Sequence, residues 1–235
     1  MKSLYSLAMA ACIFTSTAWA DEAAIKSAME KRFPYENLIS VTKTPFAGLY
    51  EVVFEGQLIY TDEKMNYLFS GNIIDMRTME NLTAAREKKL FAVNLGDLPL
   101  AHAIKHIKGN GKRKLVVFSD ANCSYCKSLE KELTGLTDTT IYLFPISILN
   151  GSEEKARAVW CSADRLKAWE DMMLRGIAPK PDKTCDTAPL AEFSLIAKKR
   201  RINVTPALIF GDGALKQGWM PLEQIEKQLN TPSSQ

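Results

Sequence analysis

The chain has little histidine, little cysteine, almost no excess charge of either sign, and no long apolar run after its first twenty residues. Histidine occurs twice and cysteine five times in 235 residues. Lys plus Arg number 30 against 27 Asp plus Glu, a formal charge of +3. A balance this close to zero gives no electrostatic footprint for a nucleic-acid binder. No run is long enough to cross a bilayer as a helix, which points to a soluble protein. Internal repeats and low-complexity segments are lacking too. With 46% hydrophobic and 24% charged residues, the composition is ordinary for a folded protein and excludes wholesale disorder.

What is present begins with a leader. Lys2 gives a short positive start, Leu4 to Phe14 form an apolar run, Ala18-Trp19-Ala20 reads as a cleavage site, and Asp21-Glu22 opens a polar chain. The expectation is an exported protein, soluble after cleavage at Ala20. Met9-Ala10-Ala11-Cys12 loosely resembles a lipidation site, but the apolar run continues past Cys12 and the favoured Leu is missing. Cleavage leaves Cys123, Cys126, Cys161 and Cys185. An even number in an exported chain suggests two disulfides, and arithmetic alone selects none of the possible pairings.

The patterning divides the mature chain. Residues 21–80 hold no cysteine and no dense core pattern. Asp21 to Arg32 reads as a short helix bounded by Pro34, followed by β-like runs at Leu49–Phe54, Gln57–Tyr60 and Asn66–Phe69. So small a unit buries little surface alone, and either pairs with a copy of itself or packs on the rest of the chain. Residues 81–92 read as a polar linker helix, with Asn81 as a candidate N-cap. Residues 93–235 are denser. Strands are expected at Lys114–Ser119, Thr140–Ile146 and Ala207–Phe210, the last turning at Gly211-Asp212-Gly213 into Ala214–Trp219. Helices are expected at Asn122–Leu133, Ser152–Met173, Ala188–Lys199 and from Pro221 to about Leu229. Pro179, Pro181 and Cys185 fall in a loop. Trp160, Trp169, Met172 and Met173 read as core, and Lys198 to Arg201 as a solvated helix end.

Cys123-Ser124-Tyr125-Cys126 carries the chemistry. It follows a buried-strand pattern and opens a helix, where free amide N–H groups and the positive end of the helix dipole favour negative charge. The Cys123 thiolate is thereby favoured, and the thiolate is the attacking species in disulfide exchange. Cys126, one turn later, can attack a mixed disulfide formed at Cys123 and release it. The competing use of a CxxC is half a zinc site, with His102 and His106 at i,i+4 spacing on a helix as the other half. Export into an oxidising compartment argues against it. Thr205-Pro206 stands just before a strand, where proline belongs and where a cis peptide would expose the backbone of Thr205 to a bound peptide. Cys161 and Cys185 lack helix-start placement; a structural disulfide is the simpler use of them, a second redox centre the alternative. Asp120 is either a proton-transfer group for Cys123 or a turn and capping residue.

The FxDxxCxYC stretch from Phe118 to Cys126, the VWC segment at Val159 to Cys161 and the TPA segment at Thr205 to Ala207 resemble the periplasmic disulfide isomerases of the DsbC/DsbG family, within the thioredoxin superfamily. The likeness covers essentially the whole mature chain. It implies an α+β protein with a small cystatin-like N-terminal dimerisation domain, a linker helix and a C-terminal thioredoxin fold with a helical insertion. It further implies that Cys123 is the nucleophile and Cys126 the resolving cysteine, that Pro206 is cis with Thr205 facing the site, that Tyr125 and Thr205-Pro206 meet substrate, and that Cys161 and Cys185 form the structural disulfide. The implied activity is rearrangement of non-native disulfides in exported proteins, with chaperone character, by a homodimer that needs neither metal nor organic cofactor. A membrane reductase of the DsbD type would keep Cys123 and Cys126 reduced. The rival activities are reduction of sulfenylated protein cysteines, as in the DsbG branch, and a holdase without redox chemistry. Ser-Tyr stands between the cysteines where the isomerase branch usually carries Gly-Tyr and the DsbG branch Pro-Tyr.

Overall fold

The computed structural model describes residues 20–46, 48–54, 56–180 and 185–231. The leader up to residue 19, with the lipidation motif at Cys12, and Pro181 lie outside the described residues. The chain forms two compact units that divide between Thr83 and Ala84.

The first unit opens with α1 (Ala20–Arg32). Ile25 and Met29, four residues apart and so on one helix face, are both buried. An antiparallel meander follows: β1 (Leu38–Lys43), β2 (Leu49–Phe54), β3 (Gln57–Asp62) and β4 (Leu68–Phe69), in that spatial order. A small ribbon pairs β5 (Ile74–Asp75) with β6 (Glu80–Asn81). Ile25 and Met29 close over Val41, Tyr50, Val52, Phe54 and Ile59. This is a dedicated core where the sequence pattern suggests none, because α1 and the strands each contribute only a few of its residues. Strand β1 is likewise unexpected from sequence. Only Val41 in it is buried, so it carries too little alternation to be recognised.

The second unit starts in α2 (Leu82–Phe91), which spans the expected linker segment. Strand β7 (Ile104–Ile107) precedes β8 (Arg113–Ser119), α3 (Ser124–Thr134) and β9 (Thr139–Pro145). Helices α4 (Ser152–Trp160), α5 (Arg165–Arg175) and α6 (Ala188–Lys199) follow, then β10 (Ala207–Phe210), β11 (Leu215–Gln217) and α7 (Leu222–Leu229). The sheet runs β11-β10-β8-β9-β7. Strands β8 and β9 are parallel, and the other pairs are antiparallel. This is the thioredoxin arrangement, with additional helices between β9 and β10. Central β8 reads as an unbroken apolar run because Leu115, Val116, Val117 and Phe118 are each 0% exposed, covered on both faces. Trp160, Trp169, Met172 and Met173 are buried in the same core.

Two local expectations are corrected. The single helix expected at Ser152–Met173 is two. Helix α4 is capped at Cys161, and the Asp164 carboxylate accepts a hydrogen bond from Lys167 N at 2.9 Å, starting α5 afresh. His102 and His106 do not share a helix. His102 lies in a turn with Nδ1 2.7 Å from Glu192 Oε2, and His106 lies on β7 with Nδ1 3.4 Å from Glu170 Oε1. Each imidazole thus meets a carboxylate of a different helix, and the four-ligand arrangement with Cys123 and Cys126 is not assembled. Among the described residues no group of three or more His, Cys, Asp or Glu is placed to hold a metal ion.

Candidate active site

The site is built where β8 ends. Asp120 follows the last residue of that strand, and its carboxylate ties the turn together. Its Oδ1 accepts hydrogen bonds from Asn122 N (2.8 Å) and Ser152 Oγ (2.5 Å), and its Oδ2 from Ile148 N (2.7 Å) and Leu149 N (2.9 Å). The carboxylate is 0% exposed and fully engaged. Of the two uses the sequence leaves open for Asp120, the structure has the turn and capping one.

This turn delivers Cys123 to the N-cap of α3, with extended backbone (φ −78°, ψ 121°) and no side-chain capping bond. Cys123 is 7% exposed and Cys126, inside the first turn, 0%. Neither is in a disulfide. Between them Ser124 and Tyr125 are exposed, the tyrosine at 64%.

The second wall comes from far down the chain. Pairing of β10 with β8 sets Ala207 opposite Phe118, which carries the segment before β10 to the end of β8. There the Thr205–Pro206 peptide is cis. The Cys123 Sγ–H donates to the Thr205 carbonyl oxygen at 3.3 Å. The sheet register thus brings together Cys123, Cys126, Thr205 and Pro206, with Tyr125 at the rim.

The two sulfurs are electrostatically unequal. Burial pushes the Cys123 thiol up, but a side-chain hydrogen bond from Thr205, the backbone N–H and side chain of Cys126 and the backbone N–H of Tyr125 outweigh it, leaving its pKa below the ordinary thiol value. Cys126 behaves oppositely. Its deeper burial pushes the thiol up to about 12, against the lowering influence of Ser119, the Asp120 N–H and Thr205. The Asp120 N–H points at Cys126 Sγ from 3.4 Å. The arrangement sets a more acidic thiol, narrowly exposed, above a fully buried one that stays protonated.

Cys161 and Cys185 are bonded to each other, joining the end of α4 to the segment before α6. Trp160 seals the neighbourhood: its Nε1 donates to Asp186 O at 2.8 Å, and the Arg165 guanidinium lies 4.0 Å above its ring.

Sequence reasoning misses several neighbours of the site. The hydroxyl of Ser119 is enclosed and acts to lower the Cys126 pKa. Ile148 and Leu149 are exposed apolar residues on the loop that Asp120 holds. An apolar groove of about 210 Å³ runs between that loop and α6, lined in part by Ile146, Ile148, Ala197 and Ile202. Ile146, Ile148 and Leu149 are legible as an apolar run after a strand, but nothing in their spacing separates a loop from an extended core strand.

Fold and site together define a thioredoxin-fold thiol-disulfide oxidoreductase. Residues 100–232 match the thioredoxin-like domain family, and residues 16–84 match the disulfide bond isomerase N-terminal domain family. A probable thiol:disulfide interchange protein DsbC of Bordetella parapertussis is 37% identical over 88% of this chain and 73% of its own length. The thiol:disulfide interchange protein DsbC of Escherichia coli is 25% identical over 98% of this chain and 96% of its own. A crystal structure of a disulfide interchange protein from Neisseria gonorrhoeae superposes with a TM-score of 0.55 at 37% identity, covering 59% of this chain and 100% of that one. The chain belongs to the DsbC family of thiol:disulfide interchange proteins, and its activity is that of a periplasmic disulfide isomerase.

Proposed function

We propose that Cys123 is the nucleophile of this isomerase and that its substrates are exported proteins carrying non-native disulfides. The Cys123 thiolate attacks one sulfur of a client disulfide. A Cys123–client disulfide forms, the client S–S bond breaks, and the second client sulfur leaves with the electron pair. That thiolate attacks another client disulfide, and the client sulfur bound to Cys123 is displaced in turn, returning Cys123 as thiolate. No net electrons are exchanged. When the client stalls, Cys126 displaces it and the enzyme leaves oxidised. A membrane reductase of the DsbD type then restores both thiols.

The observation that carries this reading is the inequality of the two sulfurs. A nucleophile with a lowered pKa forms the mixed disulfide readily, while a resolving thiol held near 12 is almost wholly protonated at neutral pH. Resolution is then slow, and the client has time to rearrange. Thr205 and Pro206 line the nucleophile and would present backbone to the client, with Tyr125 at the rim. Cys161–Cys185 serves as a structural tie. On this reading the protein works in the periplasm, its leader removed after Ala20. No helix among the described residues is long and apolar enough to cross a membrane.

A homodimer through the first unit completes the proposal. Strand β4 closes the meander at one edge, and Tyr67, Leu68 and Phe69 on and beside it are exposed. An apolar edge strand of this kind is a template for pairing with a second copy.

The test is reactivation of scrambled ribonuclease under a glutathione buffer. The reduced chain is expected to restore ribonuclease activity, Cys123→Ala to abolish the effect, and Cys126→Ala to retain part of it. Full activity in Cys123→Ala, or activity confined to sulfenylated clients, overturns the reading.

A further inference from the structure

The strand end behind the two cysteines carries a buried hydroxyl without a hydrogen bond of normal geometry. Ser119 is the last residue of β8 and is 1% exposed. Its main chain is fixed: it pairs with Pro145 across the parallel ladder, and its carbonyl accepts Ile146 N at 2.9 Å. Its Oγ is fully enclosed and makes no hydrogen bond of normal geometry with any described residue. A buried orphan hydroxyl is costly and normally avoided. The next residue donates its backbone N–H to Cys126 Sγ at 3.4 Å. The Ser119 hydroxyl itself acts on Cys126, so two consecutive residues of one strand end direct a backbone donor and a side-chain hydroxyl at the same buried sulfur.

We propose that Ser119 is a positioning residue for the resolving step: its hydroxyl, with the Asp120 N–H, stabilises the Cys126 thiolate that attacks a mixed disulfide at Cys123. This rests on the reading of Cys126 as the resolving cysteine. A neutral thiol is a weak acceptor and leaves the hydroxyl unsatisfied; a thiolate is a strong one. After burial, Ser119 is the largest influence on Cys126, and it acts to lower its pKa. In the step itself the Cys126 thiol gives its proton to water and becomes the thiolate. Its sulfur attacks Cys123 Sγ, the Cys123–Cys126 bond forms, and the Cys123–client bond breaks. The client sulfur departs with the electron pair and takes a proton from water. Ser119 donates a hydrogen bond throughout and neither gains nor loses a proton. Its presence sets how long a client stays attached, and so the balance between rearranging a client and reducing it.

The experiment uses the full chain with glutathione as client. The mixed disulfide is formed at Cys123 with oxidised glutathione, and its conversion to the Cys123–Cys126 disulfide is followed by acid quench and mass spectrometry across pH. Ser119→Ala is expected to slow that conversion by roughly 10- to 100-fold at neutral pH, the range for a hydrogen bond to a charged group. The rate should climb with pH in both forms over the neutral to alkaline range, with the Ser119→Ala profile displaced to higher pH by roughly one unit or more. Ser119→Thr, which keeps the hydroxyl, should restore the rate. Thermal stability of reduced Ser119→Ala should be unchanged or higher, because a methyl replaces an unsatisfied donor; a merely structural serine would lower stability and rate together. A wild-type rate and pH profile in Ser119→Ala, or a stability loss that Thr does not reverse, overturns the proposal. Cys126→Ser is the separate control. If it resolves the mixed disulfide at the wild-type rate, the assignment of Cys126 itself fails, whatever Ser119 does.

Discussion

At the scale of single residues, the difference between two cysteines three positions apart decides the chemistry. Both sit in the first turn of one helix, and dipole arguments alone would lower both pKa values. The structure separates them by depth. Cys126 is sealed in the core, so the cost of charging it dominates. Cys123, at the N-cap, keeps enough hydrogen bonding to its sulfur to overcome the same cost. Alkylation by iodoacetamide should therefore proceed in two well-separated phases. Cys123 is expected to react with a pH midpoint below that of free cysteine, and Cys126 only under strongly alkaline conditions. A single phase with the midpoint of an ordinary thiol would remove the basis of the proposed mechanism. The CxxC and its place at a helix start were legible because strand and helix patterns flank them directly. The burial that splits the pair was not, because it comes from residues remote in sequence.

At the scale of elements, the contact of α3 with α5 carries a second titrating group. Glu130, four residues after Cys126, is buried and accepts a hydrogen bond from Trp169 Nε1 at 3.2 Å. Burial pushes its pKa up to about 7; the Trp169 bond and the Lys108 charge lower it, and Glu170 raises it. The sign of the linkage follows. A carboxyl whose folded pKa is raised favours the folded state while protonated, and that contribution is lost as pH rises from the ordinary carboxyl value through about 7. Glu130→Gln keeps an acceptor for Trp169 and removes the charge. It should stabilise the protein at pH 8 by about 2–3 kcal/mol and give no gain near pH 4. Urea unfolding at the two pH values checks this. Equal effects at both would show that Glu130 is not titrating in this range. Nothing in the local sequence marks Glu130 as buried, since the packing of α5 against α3 is what encloses it. The break between α4 and α5 was hidden for a similar reason. Apolar spacing continues across Cys161 to Asp164, and the break becomes visible only when Asp164 is seen capping a new helix.

At the scale of the whole molecule, the chain divides its tasks between two units. The second unit contains every residue of the thiol site. The first contains a small core and an apolar edge at β4. If that edge joins two copies, Phe69→Asp in the full chain should convert a dimer into a monomer, read by light scattering. The Cys123 alkylation rate should stay the same, because the nucleophile's environment lies within the second unit. A dimer that survives Phe69→Asp and Leu68→Asp together would move the interface elsewhere.

The elements with strong local signals were legible along the chain. These are the apolar run of β8, the helix opening at the CxxC, the helix Ala188–Lys199 and the proline before β10. Each depends on residues within a few positions of one another, so periodicity and turn chemistry suffice. Tertiary structure alone decided what those elements do to each other. The register of β10 on β8 brings Thr205 to Cys123, the loop after β9 engages Asp120, and the depth of Cys126 sets its proton affinity. Desolvation and hydrogen bonding between distant segments have no local signature, because they exist only once the sheet has closed.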